Sequence, residues 1–198
     1  MNSSFVELLS VKKGHFLLES GMHGDVWFDL EPVFVHPHLL EPFIDGLATV
    51  LSHFDIDALC GAFVGGAFIA YSIARRMELD FFYTERAVRN ENAAQTVSYR
   101  LPAALSSAVT NRKVAVIDDV INAGSAVTKT CDELRSFGGM PVVMASILTV
   151  GGHSPKRLSE AYPPVVSLEH LESMLWEPQG CPLCKSGVSL VDPYSEER

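Results

Sequence analysis

The central part of the chain carries short apolar runs that alternate with segments whose apolar residues recur at helical spacing. The runs predict five strands, at Ile56–Val64, Asp80–Thr84, Lys113–Asp118, Pro141–Val150 and Val165–Leu168. The intervening segments Ala67–Met77 and Ser125–Phe137 predict helices, and Gly138-Gly139 ends the second one. Near-continuous apolar strands separated by helices predict an α/β fold, a parallel sheet flanked by helices on both faces.

The N-terminal part has a different pattern. A short helix is predicted around Phe5–Ser10, followed by a strand–turn–strand over residues 15–30, and a helix from about Pro37 to His53. Between Glu85 and Asn111 the sequence is polar and irregular, which indicates a long hairpin or loop of the kind that closes over a substrate.

One apolar stretch has nearly the length of a membrane span. Ile56–Ala74 contains a single charged residue, Asp57, and a transmembrane helix needs about 20 apolar residues. Gly65-Gly66 divides this stretch into a β-rich half and a helix-favouring half. We therefore predict a buried strand, a tight turn and a packed helix, and no membrane span.

Composition and charge narrow the class of protein. The net charge of −9 argues against nucleic acid as a partner, because binding to its phosphate backbone rewards a basic surface. The N-terminus lacks the features of a secretory signal. The four cysteines are too few for a disulfide framework, so the sequence favours a reduced, cytoplasmic protein.

The segment Val114–Val127 carries the strongest chemical signal. An apolar strand is predicted to end in Asp118 and Asp119, and a turn of small residues then leads into a helix whose first N–H groups can bind an anion. The acids could grip adjacent hydroxyls or a hydrated cation. A capped helix after an acidic strand end explains the same residues about as well, with Asp119 or Asn122 as the cap.

This segment resembles the phosphoribosyl-diphosphate (PRPP) motif of type I phosphoribosyltransferases. Further segments are similar to the orotate branch of that family in the same order along the chain: the N-terminal hood GHFLLESGMHGDVWFDL, the diphosphate loop GAFVGGAFIAYSIARRM, the strands FFYTERAV and SYRLP, and the tail WEPQGCPLCKSGVSL. The resemblance implies one phosphoribosyltransferase domain over residues 1–198, with a hood at 1–36, an α/β core at 37–170 and a C-terminal extension at 171–198.

The implied activity is transfer of ribose 5-phosphate from PRPP to a purine or pyrimidine base, with Mg²⁺ as cofactor and a homodimer as the assembly. The resemblance assigns the 5-phosphate to Asn122, Ala123, Gly124, Ser125 and Ala126. It assigns catalysis to Asp118, Asp119 and Arg86. The diphosphate would contact Val64, Gly65, Gly66, Arg86, Arg89 and Arg100.

The base would lie beside Trp27, Phe28, Thr149 and Val150. Met22 stands where the family's hood has a lysine, and Thr149-Val150 stands where orotate enzymes have an Asp-Arg pair. The accepted base is therefore left open. An alternative function is a PRPP- or nucleotide-binding regulatory protein that has lost turnover.

Cys181 and Cys184 form one CxxC pair near the C-terminus. A structural zinc site needs about four ligands, and the sequence contains no second CxxC pair. A tight turn that packs two thiols is the favoured interpretation. Zinc, shared between subunits or with His170 or His153, is the alternative.

Overall fold

The computed structural model describes residues 4–91, 94–151 and 161–193. Its main sheet has six strands in the order β5-β4-β3-β6-β7-β8. The strands are β3 (Ala58–Ala62), β4 (Asp80–Glu91), β5 (Ala94–Arg100), β6 (Lys113–Ile121), β7 (Met140–Val150) and β8 (Val165–Leu171). Strands β4, β3, β6, β7 and β8 pair in parallel, whereas β5 returns antiparallel to β4. The predicted five-stranded parallel sheet is confirmed.

Helices cover both faces of this sheet, as the apolar strands required. On one face α3 (Glu41–Leu51) and α4 (Gly65–Met77) pack Leu47, Leu51 and Ile73 against inward side chains such as Ile117 of β6. On the other face α5 (Ser125–Ser136) packs with the opposite residues of the same strands. The alternation of a strand's side chains between two faces therefore builds two cores at once.

A second, smaller sheet lies at the N-terminus and forms the hood. Helix α1 (Phe5–Leu8) precedes β1 (Ser10–Leu17), which pairs antiparallel with β2 (His23–Asp29). Strand β2 also pairs with β9 (Leu175–Trp176) from the C-terminal segment. The remaining helices are short: α2 (Glu31–Phe34), α6 (Pro182–Lys185) and 3₁₀ turns at Pro37–Leu40, Ala103–Leu105 and Pro178–Gly180.

Several boundaries differ from the predicted ones. Strand β6 continues to Ile121, so Asp118 and Asp119 lie before its end; Ile121 still pairs with Thr149 of β7. Strand β4 continues to Glu91 because its second half, from Glu85 onwards, pairs with β5, and the polar segment after Glu85 therefore begins as a hairpin. The partner that extends β6 lies far along the chain, and a local pattern does not contain it.

The apolar stretch Ile56–Ala74 is divided as predicted, with β3 and α4 on either side of the turn at Phe63 and Val64. Within the described ranges, no helix has the length and apolar character needed to cross a bilayer.

Candidate active site

A cavity of about 370 Å³ opens at the carboxyl ends of the central strands, where ligands bind in parallel α/β sheets. The hood forms one wall, through residues such as Glu19 and Trp27, and the turns after β3 and β6 form the floor. The candidate residues that line it are Trp27, Phe28, Val64, Gly65, Arg86, Asp118, Asp119, Asn122, Ala123, Gly124, Ser125 and Ala126.

The two adjacent aspartates are the main acidic groups of the floor. One oxygen of Asp118, Oδ1, accepts the Asp119 N–H at 3.1 Å, and Asp119 Oδ1 accepts the Val120 N–H at 2.7 Å. Burial, and then the neighbouring Asp119 charge, raise the pKa of Asp118 well above its ordinary value. Burial also raises the pKa of Asp119, against the Val120 hydrogen bond that lowers it. Burial and the neighbouring charge therefore disfavour two ionised carboxylates side by side.

The turn after β6 presents backbone to the cavity. Gly124 has φ 81°, a left-handed conformation that glycine adopts without strain. Helix α5 begins directly afterwards at Ser125, and the N–H groups in the first turn of a helix have no partners within that helix. The turn thus directs backbone donors and a helix N-terminus towards one point, which is a site suited to an anion.

The turn after β3 comes close to β6, and this closeness requires glycine. A Cβ at Gly65 would overlap the Asp119 Oδ2 atom, and one at Gly66 would lie 2.6 Å from the carbonyl oxygen of Ile117. Real Cβ atoms do not approach so closely. Gly65 lines the cavity, while Gly66 lies behind it against β6. The glycine pair therefore lets the backbone of this turn stand beside the aspartates.

Glu19 of the hood reaches across the cavity to groups of the floor and the hairpin. Its Oε2 accepts hydrogen bonds from Arg86 Nε at 2.9 Å and from the Tyr99 hydroxyl at 3.0 Å. Its Oε1 accepts one from the Ser125 hydroxyl at 3.2 Å, and Lys129 Nζ lies 4.0 Å away. Burial, followed by the charge of Glu19, raises the pKa of Tyr99. The Glu19 carboxylate thus accepts hydrogen bonds from the donors that face the anion site.

Three candidate residues have side chains elsewhere. Arg100 pairs with Glu133 of α5 at 2.9 Å, on the far side of the hairpin from the cavity. The Thr149 hydroxyl lies 3.0 Å from Ser167 Oγ and from His170 Nδ1, in the interior between β7 and β8. Val150 is part of the core under α3. The side chain of Arg89 lies outside the described part of the structure.

The sequence did not single out several residues of the cavity wall. Glu19, Glu31, Phe34, Phe63 and Tyr99 all line the cavity. Glu19 stands in a polar turn, Glu-Ser-Gly, and nothing local distinguishes it from a solvent-facing turn residue. Tyr99 is buried between the half-buried Ser98 and the exposed Arg100. The resemblance marked SYRLP as a strand, and the alternation of side chains along that strand would have identified Tyr99 as inward-facing.

Cys181 and Cys184 lie away from this cavity, where the C-terminal segment meets the hood. Their side chains face His15 and His23, which the sequence did not nominate. His170, a nominated partner, instead contacts Thr149. His153 lies outside the described residues.

Comparison with known proteins identifies relatives over nearly the whole chain. The profile of the phosphoribosyl transferase domain family matches residues 48–184. The chain is 30% identical over 193 residues to the orotate phosphoribosyltransferase of Caldanaerobacter subterraneus subsp. tengcongensis, covering 98% of this chain and 95% of that one. It is 27% identical over 186 residues to the orotate phosphoribosyltransferase of Thermotoga maritima, covering 94% and 92% respectively.

Solved structures share the fold at lower identity. Orotate phosphoribosyltransferase from Aeropyrum pernix superposes with a TM-score of 0.62 and 22% identity, over 81% of this chain and 87% of that one. Adenine phosphoribosyltransferase from Thermoanaerobacter pseudethanolicus superposes with a TM-score of 0.61 and 15% identity, over 73% and 88%. Proteins named for different bases match about equally well, so the fold does not specify the base.

Proposed function

The chain belongs to the phosphoribosyltransferase family, and on that premise we propose that it transfers ribose 5-phosphate from PRPP to a ring nitrogen of a base, releasing diphosphate. The proposal rests on one observation: the same cavity is lined by Asp118, Asp119 and the turn Asn122–Ala126. The carboxylates can accept hydrogen bonds from ribose hydroxyls, and the neighbouring turn can donate hydrogen bonds to a phosphate. A ribose phosphate requires both.

The 5-phosphate would bind at the start of α5. The backbone of Asn122–Ala126 and the hydroxyl of Ser125 supply donors, and the N-terminal end of the helix favours negative charge there. Gly124 keeps this turn open to a close approach of the phosphate.

The ribose hydroxyls would be held by Asp118 and Asp119. Hydroxyl donors and the developing positive charge of the ribosyl ring both favour ionised carboxylates, so binding should reverse the rise in their pKa values. These carboxylates supply a fixed negative field beside the breaking bond, and no nucleophilic side chain is needed.

The diphosphate would lie near the turn at Val64-Gly65 and the guanidinium of Arg86. We propose Mg²⁺ as the cofactor, because two adjacent carboxylates with raised pKa values are a hard-oxygen environment whose charge a divalent cation would balance. When bound, the metal would neutralise the leaving diphosphate. Arg86 would add positive charge there once it separates from Glu19.

The base would lie against Trp27 and Phe34, which line the cavity on the hood side. Flat aromatic rings suit stacking with purines and pyrimidines alike. Among the described residues, Arg86 is the one cation that lines the cavity. Orotate carries a carboxylate, and the named relatives make it the first base to test.

The test is diphosphate release from PRPP and Mg²⁺ with orotate, uracil, adenine, guanine, hypoxanthine and xanthine supplied separately. We expect diphosphate release with one of these bases when Mg²⁺ is present. Equal release without Mg²⁺ would contradict the cofactor assignment. PRPP binding without release for any base would instead identify a PRPP-binding regulatory protein.

We further propose that the protein acts as a homodimer in a reducing compartment such as the cytoplasm. The four cysteines are unpaired with one another, in keeping with a reduced protein. The exposed aromatic side chains of Phe63, Phe68 and Tyr71, of which Phe63 lines the cavity, support the dimer.

A further inference from the structure

The hood and the C-terminal segment meet at a cluster of four side chains with ligand atoms. His15 and His23 come from β1 and β2, whereas Cys181 directly precedes α6 and Cys184 lies within it. All four potential ligand atoms lie within 4.8 Å of one another. His15, His23 and Cys181 are buried, and Cys184 is at the surface. We propose that this cluster is a structural zinc site that fastens the C-terminal segment to the hood.

Four of the six distances between the ligand atoms are close to those of a tetrahedral zinc shell. Zinc lies about 2.0–2.1 Å from histidine nitrogen and about 2.3 Å from cysteine sulfur, so neighbouring ligand atoms are about 3.3–3.8 Å apart. His15 Nε2 lies 3.0 Å from His23 Nδ1, 3.4 Å from Cys181 Sγ and 3.7 Å from Cys184 Sγ. Cys184 Sγ lies 3.3 Å from His23 Nδ1. Small shifts would complete the tetrahedron around an ion.

The surroundings of His15 fix the imidazole in the form that a metal needs. Its Nδ1 lies 2.9 Å from the carbonyl oxygen of Val188, so an N–H at Nδ1 donates to that oxygen. The lone pair of Nε2 then faces His23 and the thiols. In histidine ligands, the ring nitrogen that does not bind the metal characteristically donates a hydrogen bond, which orients the ring.

The donor set selects the type of metal. Two thiols and two imidazoles favour a soft or borderline ion in tetrahedral geometry, which is zinc, over Mg²⁺. Binding would displace a proton from each thiol, leaving two thiolates that neutralise the charge of Zn²⁺. Four protein ligands leave no open position, so the metal would have a structural role.

The cluster joins elements that touch the candidate active site. Strand β2 pairs with β9 at His23 and Gly24, and Val191 donates its N–H to the His15 carbonyl at 2.8 Å. Leu18 and Glu19 directly follow β1 and line the cavity. A metal at this point would therefore hold in place the strands from which the hood wall of the cavity is built.

The first measurement is metal content of the full chain purified under reducing conditions without a histidine tag. We expect about one zinc per chain, and replacement with Co²⁺ should give the intense visible absorption of a tetrahedral thiolate-bound cobalt. Cys184→Ser and His23→Gln should each abolish stoichiometric zinc and lower Tm by about 10 °C. His53→Gln is the matched control, because His53 is exposed at the end of α3.

The cobalt experiment uses the unaltered chain, so it remains decisive if the variants fail to fold. Less than about one-tenth zinc per chain after refolding with added zinc, or a six-coordinate cobalt spectrum, would overturn the inference. Formation of a Cys181–Cys184 disulfide in the presence of zinc would also overturn it. The proposed transferase activity does not enter these readouts, so the two proposals fail independently.

Discussion

At the scale of single residues, the cavity is organised by carboxylates whose charge the bound ligand should stabilise. Asp118 and Asp119 are adjacent in the chain, with Asp119 buried and Asp118 half-buried, and Glu19 faces them from the hood. Without a ligand, the aspartates are harder to ionise than in water, and Glu19 occupies the donors of Ser125 and Arg86. Because their pKa values are raised, the two aspartates reduce the stability of the folded protein at neutral pH.

The substitution Asp118→Asn should separate the effect of Asp118 on stability from its effect on ligand binding. The folded-state pKa of Asp118 is raised, so the native state binds its proton more tightly than the unfolded chain. The unfolding free energy of the wild type should therefore fall as pH rises from about 4 through the raised pKa. The variant has no carboxyl group to ionise at this position. Its unfolding free energy, measured in urea, should therefore exceed that of the wild type by an amount that grows across this pH range.

The same variant should lose about a hundredfold or more in kcat/KM, because an amide cannot supply the negative charge beside the ribosyl ring. Unchanged PRPP affinity and turnover in Asp118→Asn would remove this aspartate from the site. A stability gain that is independent of pH would show that its pKa is not raised.

Glu19→Gln tests whether the hood glutamate competes with phosphate groups. The glutamine amide oxygen can still accept from Arg86 and Tyr99, but the negative charge is gone. We expect the dissociation constant of PRPP, measured by calorimetry, to fall about tenfold at low salt.

Glu133→Gln is the control for Glu19→Gln, since Glu133 also pairs with an arginine, Arg100, but outside the cavity. It should leave PRPP affinity unchanged. Weaker binding by Glu19→Gln would mean that Glu19 contacts the substrate instead of competing with it.

At the scale of elements, the β4–β5 hairpin carries two arginines with different environments. Arg86 in β4 points into the cavity and pairs with Glu19. Arg100 at the end of β5 pairs with Glu133 of α5, and Glu133 also accepts the N–H of Leu101. The hairpin is thus fixed to α5 at its base, while its other face supplies a cation to the cavity.

Arg86→Ala should therefore lower kcat/KM for PRPP by about a hundredfold, because it removes the positive charge near the leaving diphosphate. Arg100→Ala should change kcat/KM by less than about threefold, since Arg100 pairs with Glu133 outside the cavity. Steady-state diphosphate release measures both variants. Equal losses of kcat/KM in the two variants would place Arg100 in the diphosphate site and contradict its position outside the cavity.

At the scale of the whole molecule, exposed aromatic rings form a continuous surface beside the cavity. Phe68 is 48% and Tyr71 53% exposed on α4, and Phe63 is 44% exposed. The rings contact one another and those of β4: Phe63–Phe68 centroids are 6.4 Å apart and Tyr71–Phe81 centroids 5.5 Å. An exposed apolar patch of this kind indicates an interface. Phe63 also lines the cavity, so a second copy bound here would adjoin the site.

Phe68→Arg and Tyr71→Arg should convert the protein from a dimer to a monomer of 21.6 kDa, because each places a charge in an apolar contact. Sedimentation velocity measures the mass. Phe137→Arg is the matched control, since Phe137 is a partly exposed aromatic residue at the end of α5. A wild-type chain that sediments as a monomer at micromolar concentration contradicts the dimer proposal.

The sequence alone determined the sheet, the helices on its two faces and the floor of the cavity. Each depends on local signals: apolar runs for β3, β6 and β7, and an acidic pair followed by small residues for the turn at Asn122–Ala126. Residues 118–126 are neighbours in the chain, so their proximity in space needs no long-range information. The family resemblance supplied the order of the remaining segments.

Only the tertiary structure decided which distant residues share a site. It brought Glu19 and Tyr99 into the cavity wall, turned Arg100 and Thr149 away from the cavity, and placed His15 and His23 beside Cys181 and Cys184. The physical reason is that strand pairing and the alternation of side chains fix these positions. Register is set by partners far along the chain, and the direction of a side chain follows from register.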